Sequence, residues 1–304
     1  MTPRLVVLRA LGLGDFLTGV PALRALAAAF PDHHRVLLAP AWLEPLVALL
    51  RGAVDEIADV EGRAAVPAAL PAAARDADVA VNLHGRGPQS HAALRATAPR
   101  RLVAFGSGGP QWRAGEHEVL RWCRLLAESG IPADPAALDL DAPAGVEHHG
   151  ATVVHPGAAA PARRWPVERW AAVVRAERAA GRPVLLSAGP GEETEALAVA
   201  AAAGLPADGV RAGGTLADLA RLVAGAGRVA CADTGVAHLA TALRVPSVVL
   251  FGPTPPAEWG PPPDRGRHRV LWAGRRGDPN GPAPDPGLLE IEPAAVSAEL
   301  AALA

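Results

Sequence analysis

From Leu5 onward, short β-rich runs alternate with Ala- and Leu-rich helical patterns, and this alternation leaves few folds open. Repeated strand-helix-strand units build parallel sheets covered by helices. Residues 5–9, 36–39, 79–83 and 102–105 are predicted strands, with helices over 21–30 and 42–50. Residues 131–150, IPADPAALDLDAPAGVEHHG, are rich in Pro, Gly and Asp and hold no sustained period, which marks a linker. The alternation then restarts. Strands are predicted at 152–155, 184–187, 229–232 and 248–251, with helices over 167–180, 192–203, 216–224 and 293–303. The expectation is an α/β protein with two parallel-sheet domains, 1–145 and 146–304, facing each other across a cleft. Ligands of such sheets bind just beyond the carboxyl ends of strands, so functional residues are sought there.

The length of 304 residues suits two domains of ordinary size. With 50% hydrophobic and 20% charged residues the chain can bury a large core rather than stay disordered. A net charge of −2 gives no long-range attraction to nucleic acid or anionic lipid. All 29 basic residues counted as Lys plus Arg are Arg, and Tyr is absent, a coding bias that marks no single Arg as special. Cys123 and Cys231 stand far apart, without the spacing of a zinc site or a disulfide framework. The first fifteen residues lack a long apolar signal core, and no run approaches the ~20 residues needed to span a bilayer. A cytoplasmic protein without a transmembrane segment is expected, which leaves room for peripheral membrane contact.

Three strand-end loops carry chemistry. The first, ALGLGDFLTGVP (10–21), bears Asp15 on a glycine-flanked turn. An aspartate there is placed either to take a proton from a hydroxyl or to cap the next helix. Gly12 and Gly14 imitate a dinucleotide fingerprint, but Leu17 stands where its third glycine belongs. The second loop, HPGAAAPARRWP (155–166), carries Arg163 and Arg164, which suit phosphate oxygens or else lie along Trp165. The third is ADTGVAHL (232–239), a strand running into a helix whose first turn holds Asp233, Thr234, Gly235 and His238. Backbone N–H groups and the helix dipole favour an anion at such a turn, although plain capping uses the same residues. The acidic pairs Asp76/Asp78 and Asp139/Asp141 precede a strand and sit in the linker, not at a strand end, so no metal site is assigned.

Taken together and in order, these loops resemble glycosyltransferase family 9, the heptosyltransferase-like family. The resemblance rests on Gly14-Asp15 with Pro21-Ala22-Leu23, on His155-Pro156-Gly157-Ala158 with Arg163-Arg164-Trp165-Pro166, and on Asp233 through His238 with Phe251-Gly252-Pro253-Thr254. It implies the GT-B architecture, two Rossmann-like domains with the acceptor on the N-terminal one and a nucleotide-sugar donor on the C-terminal one. Asp15 would then be the catalytic base of an inverting, metal-independent transfer that needs no cofactor beyond its nucleotide-sugar co-substrate. Arg163, which stands where the family usually has Lys, would stabilise the diphosphate together with Thr234, Gly235 and His238, while Asp233 shapes the turn. Gly214 and Thr215 would lie along the base, and Glu192 would meet the ribose.

His84, Arg86 and Gln89, in NLHGRGPQS (82–90), would face the acceptor. The implied activity is transfer of a heptose or hexose, with ADP-heptose as the family's precedent donor, to a glycan, lipid-linked or small-molecule acceptor. A nucleotide-sugar epimerase and a non-catalytic nucleotide-sugar-binding module are the alternatives. Residues 275–287 are rich in Gly, Pro and Asp where many relatives carry cysteines, which leaves open whether this segment is a lid.

Overall fold

The computed structural model describes residues 2–60, 69–106, 108–263 and 266–303. It divides into two units, Met1–Asp141 and Ala142–Ala304, with the division inside the linker segment.

In the first unit, β1 (Arg4–Leu8), β2 (His34–Ala39), β3 (Glu56–Asp59), β4 (Val79–Asn82) and β5 (Arg101–Val103) form one parallel sheet, ordered β3-β2-β1-β4-β5. Leu8 is in register with Leu38 on one side and Asn82 on the other. The inner strands are apolar because both faces are covered: Val6, Leu8, Val36, Leu38 and Ala80 form one buried cluster. The strand order reverses between β1 and β4, so the loops leaving these two strands flank the crevice where open α/β sheets take ligands.

The second unit repeats the plan with six parallel strands. These are β6 (Thr152–His155), β7 (Val184–Ser187), β8 (Val210–Arg211), β9 (Arg228–Ala232), β10 (Ser247–Phe251) and β11 (His268–Trp272), ordered β11-β10-β9-β6-β7-β8. Here the reversal falls between β6 and β9, where His155 pairs with Cys231. The core gathers Val154, Trp165, Trp170, Leu186 and Leu250, with Trp165 and Trp170 edge to face at 4.9 Å.

Several expectations are corrected. The glycine-bearing turn after β1 holds a short helix, Leu13–Thr18, that buries Phe16 and Leu17 and runs through Gly19 into Val20–Ala29. The helix expected over 42–50 is a 3-10 turn, Ala41–Leu43, followed by four residues, Glu44–Val47, because Pro40 and Pro45 limit it. The proline-rich loop 251–264 contains a helical turn, Pro256–Trp259, with Pro256 at a first-turn position where its missing N–H costs nothing; Asp264 lies outside the described residues. Edge strands β3, β8 and β11 and the helix Glu118–Glu128 were not predicted.

Candidate active site

In the first unit the crevice between β1 and β4 is organised by Arg9, the residue directly after β1. Its side chain is wholly buried. Nε donates to Asp15 O and one Nη to Leu83 O, while the other Nη donates to Thr18 Oγ1 at 2.9 Å. Arg9 thus ties the Leu13–Thr18 helix to the end of β4. Gly19 is required for this, since a Cβ there would lie 2.9 Å from Arg9 Cδ and Nε. The guanidinium sits 4.8 Å over the Trp122 ring and faces two carboxylates, Asp15 at 4.0 Å and Glu118 at 3.6 Å.

Asp15 occupies the first turn of its helix, whose N-cap is Gly12. Its carboxyl reaches back towards Gly12, as the third residue of a capping box does, so capping and proton transfer are compatible roles for it. Burial pushes the Asp15 carboxyl above its ordinary value; Arg9 opposes this and Glu118 reinforces it. A base whose affinity for protons is raised in this way is better suited to accept one near neutrality. The side chain remains 31% exposed, while Arg9 is closed to solvent.

His84 stands in the loop after β4, its N–H donating to Asn82 Oδ1 at 3.0 Å. Asn82 Nδ2 in turn donates to Gly85 O and Ser90 Oγ, which fixes the loop. Burial, and secondarily the Arg9 cation, hold the His84 ring down to about 4, so it is neutral at pH 7. Its Nδ1 is buried without a protein partner. Arg86, on the same loop, is exposed, and so is Gln89, which the structure places not on the loop but at the first residue of the helix Gln89–Arg95.

In the second unit the loops leaving β6 and β9 meet. Arg163 ends a 3-10 turn, Pro161–Arg163, and Nη1 donates to Asp233 O at 3.2 Å; its Nε is buried without a protein partner. Arg164 instead donates to Ala158 O at 2.9 Å, and it is Arg169 that lies over Trp165, 6.0 Å from the ring. The two arginines therefore divide: one faces the β9 turn and the other braces its own loop.

Thr234 is the N-cap of Gly235–Ala242 and makes no side-chain capping bond. Ala237 N–H turns back to Thr234 O, leaving Gly235 and Val236 to head the helix. Asp233 is 6% exposed, and burial pushes its carboxyl up to about 6 against the pull of Arg163. The His238 ring stands edge-on to Trp259 at 5.9 Å.

Glu192 stands at the N-cap position of the helix Glu193–Ala203 without a side-chain capping bond, and its carboxylate turns inward, accepting from Gly189 N–H at 2.9 Å and lying 3.3 Å from His155 Nε2. Gly157 lies so close that a Cβ would strike this carboxylate. Thr215 caps the helix Leu216–Ala224 in a capping box with Asp218, which occupies its hydroxyl; Gly214 precedes it, exposed. Glu192 thus sits under the β6 loop, and only backbone groups of 214–215 are left to meet a ligand.

The 275–287 segment is a strap on the Arg163 loop. Ala162 N–H donates to Gly281 O at 3.2 Å, Asp285 N–H donates to Ala162 O at 3.1 Å, and Gly277 N–H donates to Pro253 O at 3.0 Å. The discounted acidic pairs are held by arginines: Asp78 by Arg100 at 3.1 Å and Asp141 by Arg51 at 2.6 Å.

Two all-parallel α/β units, each with its polar residues at the point where strand order reverses, define a GT-B glycosyltransferase fold. The model of glycosyltransferase family 9 (heptosyltransferase) matches residues 110–278, more than half of the chain, and the chain belongs to that family. The matched stretch contains Arg163 and Asp233 through His238 but not Asp15. A Pseudomonas aeruginosa protein, lipopolysaccharide heptosyltransferase 1, is 34% identical over 159 residues, 48% of this chain and 42% of that relative, so the match spans less than half of its length. Among solved structures, the Escherichia coli ADP-heptose lipopolysaccharide heptosyltransferase II has a TM-score of 0.75 at 20% identity, over 99% of this chain and 98% of that one. A family 9 glycosyl transferase from Veillonella parvula has a TM-score of 0.78 at 20% identity, over 99% and 97%. Both share the fold. Among the described residues no helix is long and apolar enough to cross a membrane.

Proposed function

We propose that the protein transfers a heptose or hexose from a nucleoside diphosphate sugar to an acceptor hydroxyl, with inversion and without a metal ion. The observation that carries this reading is Arg163, bound to Asp233 O at the head of the Gly235–Ala242 helix with a buried Nε that no protein group satisfies. A planar cation with unspent donors beside a helix N-terminus suits a diphosphate. As the bond from the anomeric carbon to the diphosphate breaks, its electron pair passes to the phosphate oxygen, and Arg163 stabilises the negative charge that develops. No cation beyond the side chain is called on.

The N-terminal unit supplies the other half of the reaction. The acceptor hydroxyl oxygen forms the new bond to the anomeric carbon and loses its proton to the Asp15 carboxylate. Neutral His84, with Nδ1 unspent, offers a hydrogen bond to a hydroxyl of the acceptor, with Arg86 on the same loop and Gln89 at the start of the helix that follows it. The acceptor is a glycan, a lipid-linked saccharide or a small molecule. ADP-heptose is the donor that the names of the structural relatives favour.

A panel of nucleotide sugars added to the purified chain in EDTA tests this. The nucleotide sugar that is the donor should raise Tm through preferential binding to the folded state, by about 2.7 kcal/mol of stabilisation at a hundredfold excess over Kd. No shift with any nucleotide sugar, or a shift only with added Mg²⁺, contradicts it.

A further inference from the structure

The Arg9 cluster contains one carboxylate more than a proton acceptor needs. Glu118, at the start of the helix Glu118–Glu128, is 8% exposed, and its two oxygens accept from Arg121 Nε at 2.9 Å and Trp122 Nε1 at 2.8 Å. It also lies 3.6 Å from Arg9. Every one of these partners is an obligate donor, a set that a carboxylate without a proton satisfies in full. Asp15 is held differently, by backbone N–H groups at the start of its own helix, and it faces Arg9 at 4.0 Å while keeping access to solvent.

We infer that Glu118 is the standing counterion of Arg9, a positioning residue that allows Asp15 to gain and lose a proton while the buried guanidinium stays paired. This rests on the reading of Asp15 as the base. In the transfer Asp15 takes the acceptor's proton and becomes neutral. If it were the sole partner of Arg9, each turnover would strand a buried cation, which is strongly unfavourable. Glu118 removes that penalty and, as a second negative charge, favours proton uptake by Asp15. The charged and titratable groups facing Asp15 and Arg9 are Arg9 itself after β1, Glu118 and Arg121 on the Glu118–Glu128 helix, and His84 after β4. Arg121 is shared with Glu116 at 4.0 Å, which leaves Glu118 available to Arg9.

The test is a carboxyl ¹³C titration of Asp15 in the full chain, the signal assigned by its loss in Asp15→Asn. In Glu118→Gln, Arg9 has only Asp15 as counterion, so Asp15 should titrate at lower pH than in the parent. The acid limb of kcat against pH should move the same way, with kcat at neutral pH falling about tenfold, a fraction of what a general base contributes, and donor KM unchanged. Glu118→Asp, which keeps the charge, should restore most of the parent titration. Arg121→Gln, which frees Glu118 from its second cation, should move Asp15 in the opposite direction, to higher pH. It decides the matter if Glu118→Gln does not fold.

An Asp15 titration unmoved, or moved upward, in folded Glu118→Gln overturns the inference, as does a downward move in Arg121→Gln. The titration needs no substrate. Full turnover by Asp15→Asn would therefore sink the base reading while leaving the electrostatic result legible.

Discussion

Asp233 shows at single-residue scale what the turn after β9 asks of the fold. Its carboxyl is buried beside β10, to which its N–H is tied through Leu250 O at 2.9 Å, and it is pushed from 3.8 up to about 6. A carboxyl whose folded value lies above its unfolded one takes up a proton on folding. The fold therefore bears a cost from ionised Asp233 that begins above pH 4, is complete above pH 6, and is on the order of 3 kcal/mol. Asp233→Asn removes the charge at nearly constant volume. Its Tm should exceed that of the parent at pH 8, and the gain should shrink towards zero at pH 4, as thermal unfolding at the two pH values will show. Arg9 is the opposite case, a buried charge fully partnered. Its sequence signal was present, a single cation directly closing the apolar run Leu5 to Leu8. An all-Arg composition hides that signal by making every arginine look incidental.

At the scale of elements, the loops leaving the two central strands of each sheet supply that unit's candidate residues, and what holds each loop differs. After β6 the Arg163 turn is strapped through Ala162 to Gly281 and Asp285. Asp285 also caps the short helix Pro286–Leu289, accepting from Gly287 N–H at 2.8 Å and Leu288 N–H at 3.3 Å. Asp285→Ala should lose about 1 kcal/mol of stability, the usual worth of a cap. It should also weaken nucleotide-sugar binding severalfold, because the strap that holds Arg163 loosens; urea unfolding and calorimetric titration read the two effects separately. Inner strands were legible in the sequence because burial on both faces demands continuous apolar runs, as in Val248 to Phe251. Edge strands such as Glu56–Asp59 and Val210–Arg211 carry charge and pair on one side only, so no such run announces them. The helix Glu118–Glu128 was legible too, with Val119, Trp122, Cys123 and Leu126 at helical spacing, although it was not predicted; the Glu118 and Arg121 on its buried side, which satisfy each other, were the part that no period announces.

For the whole molecule, the same plan appears twice, and its polar loops sort by chemistry. The N-terminal unit presents Asp15, the proposed base, beside the Arg9–Glu118 pair, and a neutral histidine. The C-terminal unit presents a cation and a helix terminus suited to phosphate. The order of the three motifs was readable from sequence as the mark of family 9, whereas the Arg9 cluster depended on Trp122 and Glu118, more than a hundred residues away, and only folding brings these together. The central claim is that Asp15 receives the acceptor's proton while the donor is held elsewhere in the chain. The most direct measurement is turnover by Asp15→Asn set beside its donor affinity, with the nucleotide sugar found in the thermal-shift panel. We predict that kcat falls by about 10²–10⁴, the usual contribution of a general base, while donor Kd changes less than about twofold. Turnover within a few-fold of the parent would contradict the account.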